Sequence, residues 1–238
     1  MNDDELMQAV RELRAEGRSP KEIARALGVR PAAVAPLVRT IAAEGGAPRA
    51  PEPEPVGCWV SPGWRVGLSV EGHPEWPDGG SERPEASGLV SVLVAREDRK
   101  AKVSVCGYLL DVYCLGVKDA LGPQRMHRGE LAGFVRSYFG AWAGGPSAAP
   151  IELARHLVFG ALDYARGLGF VPHPDFERAR RHLGPWAGPS AIGFGRDGTP
   201  HFTAGPYDDG AAVLRRLEQA VGSGNFHFVV SVGDTMTM

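Results

Sequence analysis

The stretch 111–119 holds four side chains whose types could carry out chemistry. They are Asp111, Cys114, Lys118 and Asp119. The residues before them predict a strand over 101–114, so the four side chains fall at the end of that strand and in the segment that follows it. Catalytic groups are often found in such segments, because a rigid scaffold fixes where the connecting loop begins.

Two kinds of chemistry are compatible with Cys114, and neither has a diagnostic spacing here. A thiol beside a histidine base would form a nucleophile pair, and two thiols with two histidines would form a zinc site. The second thiol would come from Cys106, and the candidate bases are His127, His156 and His173. Because the chain contains 7 histidines, some pairing is available in almost any fold.

A simpler interpretation explains the same four residues without catalysis. Cys114 would be a buried thiol, Asp111 would cap the turn, and Lys118 would form an ion pair with Asp119 at the surface. We therefore expect no metal and no cofactor. An enzyme that uses Cys114 or Asp111 stays an alternative hypothesis rather than the leading one.

The composition is that of an ordinary water-soluble protein. The chain has 238 residues, of which 43% are hydrophobic and 23% charged, and its net charge of -2 excludes a generally basic nucleic-acid binder. No run approaches the roughly 18 apolar residues of a membrane span, and the acidic first residues lack the apolar region of a secretory signal. The 3 cysteines show no CxxC spacing, so we expect reduced thiols in a cytoplasmic protein.

The N-terminal segment predicts three short helices. An apolar stripe with helical spacing runs over 3–16. Ser19 and Pro20 then form a helix start, because serine caps a helix and proline suits its first position. A third segment with helical spacing begins at Pro31, and Gly28 separates it from the second.

Residues 19–41, SPKEIARALGVRPAAVAPLVRTI, resemble the helix-turn-helix superfamily of DNA-binding proteins. Ala24 matches the small residue that lets the two helices cross closely, and Gly28 matches the turn, where a positive φ is needed. The matching apolar positions are Ile23, Leu27, Val29, Val34 and Leu37. The resemblance implies DNA binding and transcription regulation, with the second helix entering the major groove.

Charge in this segment favours contact with phosphates over reading of bases. Between Arg18 and Thr40 there are five basic residues and one acidic residue, a local charge of +4. Four of the outward positions on the second helix are proline or alanine, which offer no hydrogen-bonding side chain. We therefore predict binding of duplex DNA with modest specificity. The residues predicted to contact DNA are Arg18, Lys21, Arg25, Arg30, Arg39 and Thr40.

A proline-rich stretch divides the chain into two predicted domains. Residues 45–56 contain four closely spaced prolines, which favour extended polyproline II structure and a semi-rigid linker. The prediction is therefore a helix-turn-helix domain over 1–44, a linker over 45–56 and a larger domain over 57–238.

The larger domain is predicted to have an α+β fold with a mainly antiparallel sheet. Helices are expected over 130–142, 151–168, 174–183 and 211–221. Strands are expected over 89–95, 101–114, 191–195, 200–204 and 226–232, the first four as two hairpins. The segment 115–129 is expected to be a loop, because it contains glycines and a proline.

These patterns together predict a DNA-binding regulatory or accessory protein. Its larger domain would sense a ligand or dock a partner. A homodimer is expected, since one small motif gives limited affinity for DNA. In the alternative, the helix-turn-helix docks a protein partner rather than DNA.

Overall fold

The chain divides into two compact units, Met1–Glu52 and Pro53–Met238. The computed structural model describes residues 3–15, 18, 20–30, 33–34, 36–38, 55–77, 88–99 and 101–229. Most of the predicted linker lies outside these residues. Its last two positions, Pro55 and Val56, are the first residues of a strand.

The N-terminal unit contains helices α1 (Asp3–Ala15) and α2 (Pro20–Ala26). Residues 33–34 and 36–38 are also helical. All three helical segments contribute to one small core, whose buried members are Val10, Ile23, Ala24 and Val34. The apolar stripes of the sequence therefore face one another.

Gly28 ends α2 in the left-handed conformation that the sequence predicts. Its φ is +65°, and a Cβ at this position would meet no atom within 4 Å. The N–H of Val29 donates to the C=O of Ala24 at 3.0 Å, and that of Gly28 donates to the C=O of Arg25 at 3.3 Å. This pair of bonds is the Schellman arrangement, which satisfies the last carbonyl groups of a helix and turns the chain sharply.

The larger unit is built on a five-stranded sheet. Its strands are β1 (Pro55–Val60), β3 (Leu89–Glu97), β4 (Lys102–Asp111), β5 (Gly116–His127) and β6 (Ser147–Ala148). They lie in the order β5-β4-β3-β1-β6, and every pairing in this sheet is antiparallel, which confirms the predicted α+β class. Two small sheets pair β2 (Ser69–Val70) with β7 (Ile192–Gly193), and β8 (His201–Thr203) with β9 (His227–Val229).

Helices cover both faces of the large sheet. The long helix α4 (Ile151–Gly167) packs with Val92 and Val94 of β3, and the shorter α3 (Leu131–Tyr138) packs with Leu93 and Ala95 of the same strand. The alternating residues of β3 therefore enter two different cores. A strand that is buried on both sides has a continuous apolar sequence rather than an alternating one. Helices α5 (Phe176–Ala179) and α6 (Gly210–Val221) complete the unit.

The prediction of a loop over 115–129 is wrong, because most of this segment is the long strand β5. Two irregularities in its pairing with β4 explain why the pattern was hidden. Leu110 pairs with Val117 and Leu109 pairs with Asp119, so Lys118 is an extra residue in the ladder. Such a β-bulge interrupts the two-residue alternation by which strands are recognised.

The second predicted hairpin is also wrong. The strand at 191–195 contributes β7, which pairs with β2, and the strand at 200–204 contributes β8, which pairs in parallel with β9. An isolated bridge between Arg196 and Thr199 closes the turn between them. The N–H of Gly195 donates to the C=O of Val112, and the N–H of Asp197 donates to the C=O of Gly67. The residues of this turn therefore form hydrogen bonds with other segments instead of extending a hairpin.

No helix in the described part of the chain combines the length and the apolar character that a membrane crossing requires.

Candidate functional site

Asp111 lies at the end of β4 with only 3% of its surface exposed. Its Oδ1 accepts hydrogen bonds from the backbone N–H of Tyr113 at 3.0 Å and of Cys114 at 2.9 Å. Asp111 therefore caps the turn, as the simpler interpretation of the sequence expects. Burial raises the pKa of this carboxyl to about 6, while the backbone N–H donors and the charge of Lys118 act in the opposite direction.

The thiol of Cys114 is fully buried in a satellite core with Leu168, Phe202 and Leu217. Burial raises its pKa well above the ordinary value, and the nearby Asp111 adds to this effect. A catalytic cysteine needs a thiolate, which this environment disfavours. None of the hydrogen bonds of the described residues joins Cys114 to a histidine, so the geometry does not support thiol catalysis.

Lys118 reaches a partner that the sequence did not suggest. Its Nζ lies 2.6 Å from Oδ2 of Asp208, and the two side chains are 20% and 14% exposed. The same oxygen accepts the N–H of Gly205 at 2.8 Å. The pair therefore joins β5 to the turn that precedes α6. Asp208 is missed in the sequence because it is far from Lys118 along the chain.

Asp119 belongs to the other side of the sheet. Its Oδ1 accepts the N–H of Ala120 at 2.7 Å and lies 3.7 Å from Nδ1 of His173. The side chain borders a cavity of about 170 Å³ under the end of α3. The other lining residues are Ser91, Gly107, Leu109, Ala120, Leu121 and Tyr138.

The four candidates therefore do not form one catalytic constellation. Asp111 and Cys114 share a turn, Lys118 binds Asp208, and Asp119 faces the opposite layer. The predicted zinc alternative finds no support either, because no group of three or more potential ligands occurs among the described residues.

A serine–histidine pair that the sequence analysis missed lies beside α4. Oγ of Ser190 is 3.4 Å from Nδ1 of His156, a separation near that of a nucleophile and its base. However, this nitrogen accepts the N–H of Ala191 at 2.8 Å, and the Ser190 hydroxyl donates to the C=O of His156 at 3.0 Å. Both groups are therefore occupied in holding the chain against α4, and burial lowers the pKa of His156.

The N-terminal unit carries the residues predicted to contact DNA. Arg18 precedes α2, Arg25 lies in its last turn and Arg30 follows the Gly28 turn, and all three are exposed. Lys21 lies in α2, but its side chain is outside the described residues. Two further predicted contacts, Arg39 and Thr40, are also outside the described residues.

Comparisons of the chain with family models, with curated proteins and with solved structures found no match.

Proposed function

We propose that the chain is a DNA-binding regulatory or accessory protein whose N-terminal unit contacts duplex DNA. One observation carries this proposal. The helix α2, the sharp turn at Gly28 and the helical residues 33–34 and 36–38 share one core, and exposed arginines lie on either side of the turn. In helix-turn-helix proteins, this arrangement presents the second helix to the major groove.

The exposed groups favour backbone contact over sequence reading. Arg25 and Arg30 supply cationic groups for phosphates, whereas the exposed Ala33 and Pro36 of the helical segment after the turn supply no hydrogen-bonding side chain. Phosphate contacts position a protein on DNA, and base contacts give it specificity. We therefore expect measurable affinity for many sequences and little discrimination among them.

The larger unit is proposed to dock a partner or to sense a small ligand. One cavity of this unit, lined by Asp119 and Tyr138 among others, measures about 170 Å³, which is smaller than the roughly 300–1,000 Å³ of most drug-sized ligand sites. This cavity therefore suits a very small ligand better than a large cofactor.

DNA binding is tested by titrating the full chain into labelled duplex DNA at a series of salt concentrations. The logarithm of the binding constant should fall linearly with the logarithm of salt concentration, because the cationic side chains release counterions from the DNA phosphates. If each arginine contacts one phosphate, the double variant Arg25→Ala/Arg30→Ala should reduce the slope by about 2.

The matched control is Arg215→Ala, which removes an exposed arginine from α6 in the larger unit. This variant should bind DNA as the unmodified chain does. Absence of binding at low salt would reject the proposal. Capture of a protein that depends on Arg25 and Arg30, but not on DNA, would favour the protein-docking alternative.

A further inference from the structure

Two histidines lie side by side on adjacent strands of the small parallel sheet in the larger unit. His201 of β8 and His227 of β9 are direct partners in the ladder, so their side chains project from the same face. Their ring centroids are 6.2 Å apart, with an angle of 47° between the ring planes. The topology thus places two imidazoles together from segments that are distant in the sequence.

The surroundings fix the backbones of both histidines and leave the rings accessible. The N–H of His201 donates to the C=O of Tyr113 at 3.2 Å, and that of His227 donates to the C=O of Pro200 at 2.9 Å. His201 is partly exposed and His227 is exposed. Within the described part of the chain, neither imidazole makes a hydrogen bond, so the ring nitrogens are available to a ligand.

We propose that His201 and His227 together bind one divalent transition-metal cation, of the class of Zn²⁺ or Ni²⁺. Imidazole nitrogen suits these metals, whereas Mg²⁺ and Ca²⁺ prefer oxygen ligands. A metal held at about 2.0–2.1 Å by each ring bridges nitrogens roughly 3–4 Å apart. The ring centroids are 6.2 Å apart, and rotation of the two side chains would allow one nitrogen of each ring to reach that separation.

Two protein ligands leave the remaining coordination positions to water, so the bound metal exchanges readily. Its structural effect is to link β8 to β9. These strands are only three residues long, and a metal that binds the paired form stabilises it by mass action. The proposed site therefore strengthens the attachment of β9 to the rest of the larger unit. This inference does not depend on DNA binding by the N-terminal unit.

The full chain, stripped with a chelator, is titrated with Zn²⁺ and separately with Ni²⁺ in a calorimeter. One ion should bind per chain at this site, and Mg²⁺ should not compete. His201→Ala and His227→Ala should each weaken binding by about tenfold or more, since even the loss of a supporting residue around a metal costs about 10–100-fold. Because His227 is exposed, its variant tests the site without disturbing the core.

The matched control is His156→Ala, because His156 and His73 form the second close histidine pair, with ring centroids 5.6 Å apart. Nδ1 of His156 already accepts the N–H of Ala191, so this variant should bind metal as the unmodified chain does. Unchanged affinity in both His201→Ala and His227→Ala, or loss in His156→Ala alone, would overturn the proposal.

Arg196 provides an independent test, because its positive charge acts on His201 and opposes a bound cation. Arg196→Gln should therefore bind Zn²⁺ more tightly than the unmodified chain does. An affinity that does not respond to this change would place the metal away from His201.

Discussion

The buried carboxyl of Asp111 stabilises a turn by accepting hydrogen bonds, although burial disfavours its ionised form. Its Oδ1 satisfies two backbone N–H groups that would otherwise be buried without partners, and leaving such groups unpaired costs about 1–3 kcal/mol each. Burial meanwhile penalises the ionised carboxylate. Asp111 therefore stabilises the turn through its oxygen atoms, and its negative charge is not required for that role.

Replacement of Asp111 by Asn should change how stability depends on pH. The pKa of Asp111 is raised from 3.8 to about 6, so the folded state holds the proton more tightly than the unfolded state does. The resulting stability is fully present below the unfolded pKa and is lost as pH rises through 6. The free energy of unfolding, relative to Asp111→Asn, should fall by about 2–3 kcal/mol between pH 4 and pH 7.

Urea unfolding of both proteins at several pH values measures this difference. Asp163→Asn serves as the control, because Asp163 is 61% exposed on α4, whereas Asp111 is buried. A pH dependence for Asp111→Asn no steeper than that of this control would show that burial does not perturb the carboxyl.

The residue-scale predictions succeed where the cause is local. Spacing alone predicts that Asp111 accepts hydrogen bonds from backbone N–H groups two and three residues further on. The apolar segment around Cys114 likewise predicts that its thiol is buried. Asp208 could not be found in this way, because its pairing with Lys118 depends on how distant elements are brought together. The same holds for His201 and His227.

At the scale of elements, the sheet depends on close contact with α3. Gly107 of β4 lies directly under Tyr138, and a Cβ built at Gly107 would lie 2.7 Å from the tyrosine ring. The Tyr138 hydroxyl lies 3.3 Å from the C=O of Val92 and 3.2 Å from that of Tyr108. Absence of a side chain at position 107 therefore lets the tyrosine reach the strands themselves.

Gly107→Ala should lower the free energy of unfolding by about 1–3 kcal/mol, because the added methyl group overpacks the contact with Tyr138. Chemical denaturation measures this change. Gly133→Ala is the matched control. Gly133 lies on α3, and apart from the backbone of the helix itself the atom nearest to the added Cβ is Nη2 of Arg136, at 3.9 Å. That change should instead stabilise the helix by about 0.5–1 kcal/mol. Equal effects of the two substitutions would refute the contact argument.

The ion pair between Lys118 and Asp208 should connect two elements energetically. A double-mutant cycle with Lys118→Ala and Asp208→Ala should give a coupling energy of about 1 kcal/mol or slightly more, because partial burial reduces solvent screening. The comparison is the exposed pair of Arg166 and Asp163 on α4, whose side chains are 50% and 61% exposed, respectively. Its coupling energy should be about 0.5 kcal/mol or less. If the coupling energy of Lys118 and Asp208 is no larger than that of the exposed pair, the ion pair does not link β5 to α6.

Sequence patterns predicted those elements whose hydrophobic signal is continuous. The strands of the first hairpin and the helix α4 have long apolar runs or stripes, so their positions agree with the structure to within a few residues. The strand β5 was missed because the extra residue Lys118 and the second pairing irregularity break its alternation. The partners of β7 and β8 were misassigned because both pair with strands far away along the chain.

On the scale of the whole molecule, the larger unit buries every cysteine of the chain. Cys58, Cys106 and Cys114 are all free thiols with little or no exposure. Burial raises the pKa of Cys58 and of Cys106 to about 12, and that of Cys114 still further. Neither access nor ionisation favours reaction in the folded state.

The folded chain should therefore react with a thiol-specific disulfide reagent only as fast as it unfolds or opens. All three thiols should become reactive together in denaturant. The rate of thiol modification, measured by adding the reagent at increasing urea concentrations, tests this expectation. Labelling of any one cysteine in native buffer, at the rate of a free thiol, would contradict the buried arrangement.

The fold class of the larger unit follows from the order of its elements, and most of this order, though not the strand β5, is visible in the sequence. The DNA-binding proposal comes from a segment with a distinct charge, which the net charge of the whole chain conceals. The role of the larger unit could not be predicted, because its notable polar residues act in pairs that form only after folding.

The bulge at Lys118 also has a consequence for changes in chain length. Val117 packs in the core under α4 and Asp119 borders the cavity on the opposite side, although regular alternation would put both on one face. Deletion of the Lys118 codon would leave Val117 and Asp119 as neighbours on opposite faces, so the rest of the strand would keep its sidedness. Deletion of Ala120 would instead invert one part of β5 relative to the other. Within this part of the strand, position 118 is therefore where evolution could shorten the chain by one residue without exchanging its buried and exposed faces.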